Sequence, residues 1–171
     1  MKKVCIVLSI CLLIVAILLF MPGSETKYLR IHIRANSNSI QDQQIKHEIK
    51  DSVCEFLTPL FLDCGEIEKA EKILAANLDN IERIVDSLLL SKGFTYKSSA
   101  KLNNEYFPTR SYKDLVLDSG YYDALIIDLG EGKGDNWWCV IYPPMCFADN
   151  TKNIVYKSKL LQIINQIFYK E

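Results

Sequence analysis

Residues 130–147, which read GEGKGDNWWCVIYPPMCF, gather the residue types of this chain best suited to chemistry or recognition. They include three alternating glycines, two adjacent tryptophans, two cysteines and a Pro-Pro pair. Such a stretch could form a phosphate loop, supply a nucleophile, bind a metal or present a rigid surface to another protein. The spacing of its residues decides among these chemistries.

The glycines do not have the spacing of a phosphate loop. Gly130, Gly132 and Gly134 alternate and precede a predicted strand, whereas phosphate loops lead into a helix N-terminus and follow the Walker or G-x-G-x-x-G pattern. The glycines therefore favour a hairpin turn.

Metal and nucleophile motifs are incomplete in this sequence. His47 to Asp51, HEIKD, begins like a zincin helix but has Asp51 where the second histidine must stand. No C-x-x-C or G-x-S-x-G occurs, and a thiol of Cys139 or Cys146 could pair with His32 only through the fold. The sequence therefore predicts no catalytic residue, no metal and no cofactor.

Cys139 and Cys146 flank Pro143-Pro144, whose restricted φ angles favour a bend. A local disulfide is geometrically plausible there, and closing so short a loop would stabilise the fold by roughly 2–3 kcal/mol. The alternative is two buried reduced thiols. A bond between Cys54 and Cys64 is left open.

Adjacent tryptophans in a strand point to opposite faces of the sheet. We therefore expect one ring of Trp137 and Trp138 to enter the core and the other to cover a surface patch suited to a partner. Burial of both rings under helices is the alternative.

Composition predicts one folded domain behind an apolar segment. The 171-residue chain is 49% apolar, and its 20 Lys and Arg against 21 Asp and Glu provide no basic stripe for nucleic acid. Residues 4–21 are uninterruptedly apolar and long enough to enter a membrane. Lys2 and Lys3 before them place the rest of the chain outside the cytoplasm. We expect residues 1–24 to be a membrane anchor or a cleaved signal segment, and residues 25–171 an extracytoplasmic domain.

Two helices follow a first strand. Residues 28–35 alternate strictly, with Arg30, His32 and Arg34 on a wet or partly covered face. Ser39 with Asp42 has the form of a capping box that opens the first helix, and Asn38 with Gln41 offers an alternative register. A second helix is predicted over about 66–90, with Gly93 as its C-cap.

Beyond Gly93 the side chains alternate with a period of two residues, as in β-strands. Strands are predicted over 94–102, 115–117, 121–129 and 137–142, a turn around Pro108, and a last helix over about 154–169. The order β-α-α-β-β-β-β-α predicts an α+β domain, with a mostly antiparallel sheet packed against helices on one face.

Two long segments resemble the stage II sporulation protein R family. They are LRIHIRANSNSIQDQQIKHEIKD, residues 29–51, and YFPTRSYKDLVLDSGYYDALIIDLGEGKGDNWWCVIYPPMCF, residues 106–147. The most specific motifs are A-N-S-x-S-x-x-D-Q, F-P-T-R and G-x-G-K-G-x-N-W-W-C-V-x-x-P-P-x-C-F. So long a composite pattern is very improbable by chance.

The resemblance implies a signalling protein rather than an enzyme. It would be exported from the forespore into the intermembrane space, either released or held by its N-terminal segment. There it would activate a membrane-embedded aspartic-type protease of the mother cell that matures pro-sigma-E. Within the motifs, the expected partner-binding residues are Arg110, Lys133, Asn136, Trp137, Trp138, Pro143 and Pro144.

The alternative function is an exported hydrolase or thiol-dependent enzyme acting at the cell wall. It requires His32, Cys139 and an acid such as Asp135 to meet in one cleft.

Overall fold

The computed structural model of the chain describes residues 27–61, 64–112 and 115–145. The elements are β1 (Leu29–Arg34), α1 (Ile40–Phe61), α2 (Ile67–Ser91), β2 (Ser98–Phe107), β3 (Arg110–Tyr112), β4 (Leu115–Leu117), β5 (Gly120–Leu129) and β6 (Asn136–Tyr142). This α+β architecture confirms the predicted class. The predicted membrane segment 4–21 and last helix 154–169 lie outside the described residues. Neither α1 nor α2 combines the length and apolarity needed to cross a membrane, and the described ranges contain no other helix.

Both helices begin or end at predicted signals. The Ser39 hydroxyl accepts the amide of Asp42 at 3.1 Å, which makes Ser39 the N-cap of α1. α1 continues through Pro59 to Phe61. Gly93 follows α2 with a φ of 82°, and the next amide, that of Phe94, returns to the carbonyl of Leu89. Gly93 therefore ends α2 in the left-handed conformation that glycine adopts without strain.

The sheet is mixed, with the strand order β2-β5-β1-β6. β2–β5 and β1–β6 are antiparallel, in keeping with the mostly antiparallel sheet predicted, but β1 and β5 run parallel. A parallel pair needs a long crossover, and here the crossover contains both helices and β2. The short strands β3 and β4 form a separate two-stranded sheet. β3 was expected to be part of a turn, and β2 begins and ends later than its alternation predicts.

The main core lies between the two helices and one face of the sheet. Its sheet-side residues include Leu29, Ile31, Ile33, Ala100, Leu125, Ile127, Leu129, Cys139 and Ile141. A smaller apolar cluster of Phe107, Ala124 and Ile126, flanked by Tyr122 and Trp138, lies on the opposite face. The helices thus cover one face, as predicted, and the smaller cluster lies on the other.

Candidate functional site

The alternation of β1 directs its basic side chains away from the helices. Leu29, Ile31 and Ile33 enter the main core, so that Arg30, His32 and Arg34 extend from the opposite face. β1 is an interior strand, which leaves this face far drier than the sequence suggested: Arg30 is 0% exposed and His32 4% exposed. We call this surface, with its neighbours on β2, β5 and β6, the basic face.

Arg30 is held among aromatic rings. Its guanidinium lies over Phe107 at 4.2 Å, Tyr122 at 4.9 Å and Tyr112 at 5.7 Å from the ring centroids. Nη2 donates to the Tyr112 hydroxyl at 2.6 Å. Within the described residues, Nε and Nη1 have no hydrogen-bond partner. The rings stabilise the buried cation without neutralising it.

His32 and Arg34 form a charged cluster with two carboxylates. His32 Nδ1 lies 3.2 Å from Glu105 Oε2, and Arg34 contacts both Glu105 and Asp128, the latter at 2.8 Å. Burial is the largest influence on the pKa of His32 and lowers it, with nearby Asn136 and Glu105 opposing and Arg34 reinforcing the effect. His32 is therefore a neutral imidazole at neutral pH.

The two tryptophans lie on opposite faces, as the strand pattern predicts. Trp137 packs against the main core, with Lys50 Nζ 5.9 Å from its ring centroid. Trp138 stacks on His32, with 5.2 Å between their ring centroids. The Arg110 guanidinium of β3 lies 4.3 Å from the Trp138 ring centroid. Both tryptophans are half-buried. Trp138 and Arg110 thus form a cation–π pair at the edge of the basic face.

The glycine-rich loop is not a hairpin, which corrects the prediction. β1 lies between β5 and β6, so residues 130–135 must cross the end of β1 instead of turning back on β5. The amide of Gly134 donates to the Ala35 carbonyl at 2.8 Å, and the amide of Glu131 to the Asn36 side chain at 3.0 Å. The glycines allow the loop to lie directly on the chain that follows β1.

Asp42 joins this loop region to the start of α1. Its carboxylate accepts hydrogen bonds from the hydroxyls of Ser37 and Tyr96, both at 2.5 Å. It also accepts one from the side-chain amide of Asn36 at 3.1 Å. Burial raises the pKa of Asp42, but these hydrogen bonds outweigh burial and leave the pKa below its usual value. The A-N-S-x-S-x-x-D-Q motif is therefore the hydrogen-bonded junction between β1, α1 and the glycine loop.

The remaining expected partner-binding residues are dispersed. Asn136 is exposed beside His32, whereas Lys133 pairs with Glu131 at 2.7 Å within the loop. Pro143 and Pro144 are half-buried after β6, and the Tyr142-Pro143 peptide is cis. The structure therefore brings together Arg110, Trp138 and Asn136, but leaves Lys133 in the loop. Whether any of these residues binds a partner stays a prediction.

The cysteine predictions have different outcomes. Cys54 and Cys64 are free thiols. Cys139 is buried at 6% exposure on the helix side of β6. Cys146 lies outside the described residues, so its bond to Cys139 stays a prediction.

The cleft required by the alternative enzyme does not form around His32 and Cys139. In the β1–β6 register His32 lies opposite Trp138, whereas Cys139 lies opposite Ile31. Because alternate residues point to opposite faces, the imidazole and the thiol are separated by the sheet.

Sequence reasoning missed the burial of Arg30. The available signal was the run RIHIR, which places three basic residues on one face of a strand. That pattern equally describes a solvated surface until β1 is known to lie inside the sheet.

Comparison with known proteins identifies a family and a curated relative of this chain. The family model for stage II sporulation protein R matches residues 25–152. Stage II sporulation protein R of Bacillus subtilis (strain 168) is 39% identical over 121 residues, covering 71% of this chain and 54% of that protein. The chain therefore spans about half the length of the curated relative it matches. No solved structure matches it significantly.

Proposed function

Since the chain belongs to the stage II sporulation protein R family, and its relationship to that family supports a role in sporulation, we propose that it is an exported signalling protein. It leaves the forespore for the intermembrane space through residues 1–24, which act as a signal or remain as an anchor. Residues 25–171 then activate a membrane-embedded aspartic-type protease of the mother cell, which matures pro-sigma-E.

The observation that carries a binding role is the Arg110–Trp138 pair. Tryptophan and arginine are the residue types most enriched at the energetic centres of protein interfaces. Here the indole is already held against His32, with 5.2 Å between ring centroids. Little side-chain entropy is then lost when a partner covers the pair, which favours affinity.

Activation requires that the chain bind the active arrangement of the protease more tightly than the inactive one. A tenfold preference corresponds to about 1.4 kcal/mol and shifts the equilibrium by the same factor. The protein acts as a ligand and not as an enzyme, which agrees with the separation of His32 from Cys139 by the sheet.

A reconstituted reaction tests this function. The protease and pro-sigma-E are placed in liposomes with the full-length chain on the extracytoplasmic side, and cleavage is followed with time. We expect cleavage only when the chain is present and at least a tenfold lower rate with Trp138→Ala. Leu90→Ala, which removes a 77% exposed side chain from the end of α2, is the matched control. Cleavage without the chain, or full activation by a folded Trp138→Ala variant, would contradict the proposal.

A disulfide between Cys139 and Cys146 would preorganise the segment around Pro143 and Pro144. Cys54 and Cys64 are free thiols whereas Cys139 is not, which supports this pairing. We expect Cys139→Ser and Cys146→Ser each to lower activation and to increase protease sensitivity after β6. Unchanged activation and digestion in both variants would refute the disulfide.

A further inference from the structure

Buried nitrogen donors accumulate on the basic face without acceptors. Arg30 Nε and Nη1 and Trp138 Nε1 have no hydrogen-bond partner within the described residues. Neutral His32 donates its Nδ1 proton to Glu105, so its Nε2 is an acceptor and does not add to these donors. Buried polar groups in proteins are nearly always hydrogen-bonded, so a cluster of unmatched donors indicates a missing acceptor.

The two donor residues occupy nearby positions on one face. Arg30 lies two residues before His32 on β1, and Trp138 is the cross-strand neighbour of His32. Phe107 touches the group from the other side, 4.2 Å from the Arg30 guanidinium and with its ring centroid 5.8 Å from that of His32. One small acceptor group at this place could therefore meet several donors.

The charge of the region calls for an anion. Arg30 is 0% exposed, and an unpaired buried cation is costly even where aromatic rings contact it. The Glu105 carboxylate already contacts Arg34 and His32. The Asp128 carboxylate already contacts Arg34 and Lys101. Within the described residues, Arg30 has no carboxylate of its own.

We propose that the basic face binds a single carboxylate group at Arg30, with Trp138 Nε1 as a second donor. A carboxylate is planar, carries one charge and can accept a charge-assisted hydrogen bond from Nε or Nη1 of the guanidinium. A phosphate dianion would bring a second charge towards Glu105, which lies beside His32. On this face Asn136 is exposed and Trp138 half-buried, so both are accessible to solvent.

The carboxylate has two possible sources. One is an Asp or Glu side chain of the partner, an assignment that rests on the proposed function. The other is a free small carboxylate.

Acetate titration tests the site without any partner. Arginine Nε–H and tryptophan Nε1–H signals of the full-length chain are recorded by NMR with sodium acetate, and with sodium phosphate at equal ionic strength. We expect saturable shifts of the Arg30 and Trp138 signals with acetate alone. Arg30→Gln should abolish the shift at Trp138, and Arg83→Gln, on the exposed surface of α2, should retain it.

Trp138→Phe keeps the proposal testable if Arg30→Gln does not fold. It retains an aromatic ring against His32 but removes the indole donor, so acetate should bind about tenfold more weakly, equivalent to about 1.4 kcal/mol. The absence of a saturable shift, an unaltered affinity in Trp138→Phe, or equal binding of phosphate would overturn the carboxylate site.

The liposome reaction distinguishes the two sources. If the partner supplies the carboxylate, Trp138→Phe lowers activation and acetate competes with it in the wild-type chain. Full activation by Trp138→Phe, together with acetate binding, overturns the partner assignment and leaves a site for a free carboxylate. A wild-type chain that binds acetate but does not activate the protease refutes the proposed function and not the site.

Discussion

His32 illustrates how one residue couples the fold to solution pH. Its imidazole is 4% exposed, stacked on Trp138 and hydrogen-bonded to Glu105. Because burial lowers the pKa of folded His32 below its ordinary value of 6.5, the folded protein resists a proton that the unfolded chain accepts. The free energy of unfolding must then fall as the pH drops below 6.5 towards the folded pKa.

We expect His32→Gln to flatten this pH dependence. Between pH 7.5 and 5.5, the wild-type free energy of unfolding should decrease by up to about 1.4 kcal/mol per pH unit, the limit for one proton. Urea unfolding at each pH measures it. His47→Gln replaces an exposed histidine and should keep the wild-type slope. Equal slopes for wild type and His32→Gln would show that His32 does not control this transition.

At the scale of elements, the glycine loop, residues 130–135, packs closely against the chain that follows β1, and this leaves no room for a side chain at Gly134. A Cβ added to Gly134 would lie 2.3 Å from the carbonyl oxygen of Ser37, and that oxygen belongs to backbone that cannot rotate away. The glycine at position 134 is thus explained by its close packing against the chain between β1 and α1.

Gly134→Ala should therefore destabilise the protein by at least about 2 kcal/mol, because loop and helix must separate. Gly65→Ala is the matched control, since its new methyl group would meet nothing within 4 Å. Denaturant midpoints of the two variants provide the comparison. A Gly134→Ala midpoint close to that of Gly65→Ala would mean that the loop is not fastened to this junction.

The outer edge of β2 is protected by acidic residues of α2. Glu82 accepts the amide of Ala100 at 2.6 Å, and Asp86 accepts the amide of Ser98 at 2.7 Å. An edge strand otherwise presents unpaired amides to other chains. Carboxylates thus replace the missing neighbouring strand.

We expect Glu82→Ala and Asp86→Ala each to lower stability by about 1.5–3 kcal/mol, as for a lost hydrogen bond to a charged group. Both should also promote concentration-dependent association, measured by sedimentation. Asp79→Ala, an exposed change on the same helix, should do neither. Association that is equal in all three variants would exclude edge protection by these carboxylates.

At the scale of the whole molecule, the core between the helices and the sheet makes unfolding cooperative. Cys54 lies in this core at 4% exposure, and burial raises the pKa of its thiol to about 11. Cys64 is half-buried between the helices. The two free thiols can therefore report global and local opening separately.

We expect iodoacetamide at pH 8 to modify Cys54 at least tenfold more slowly than Cys64 in the native chain, because the thiolate is the reactive form. In denaturing urea the two rates should converge. Peptide mass spectrometry assigns each label. Equal rates under native conditions would show that α1 opens locally and that the core is not one cooperative unit.

The local elements were determined by the sequence itself. Ser39 begins α1 and Gly93 ends α2 because capping depends on neighbouring backbone groups alone. The alternation of β1 and the opposite orientation of Trp137 and Trp138 likewise follow from the pleat of a strand. Family membership could also be read from the contiguous motifs.

The tertiary structure alone decided which faces became buried. Nothing local to β1 specifies that β5 pairs with it in parallel and β6 on its other side, since these partners lie about a hundred residues away. That order turned an expected hairpin into a loop that crosses β1. It also enclosed Arg30 among aromatic rings from β2, β3 and β5, because strand order depends on the summed burial of the whole core and not on any one segment.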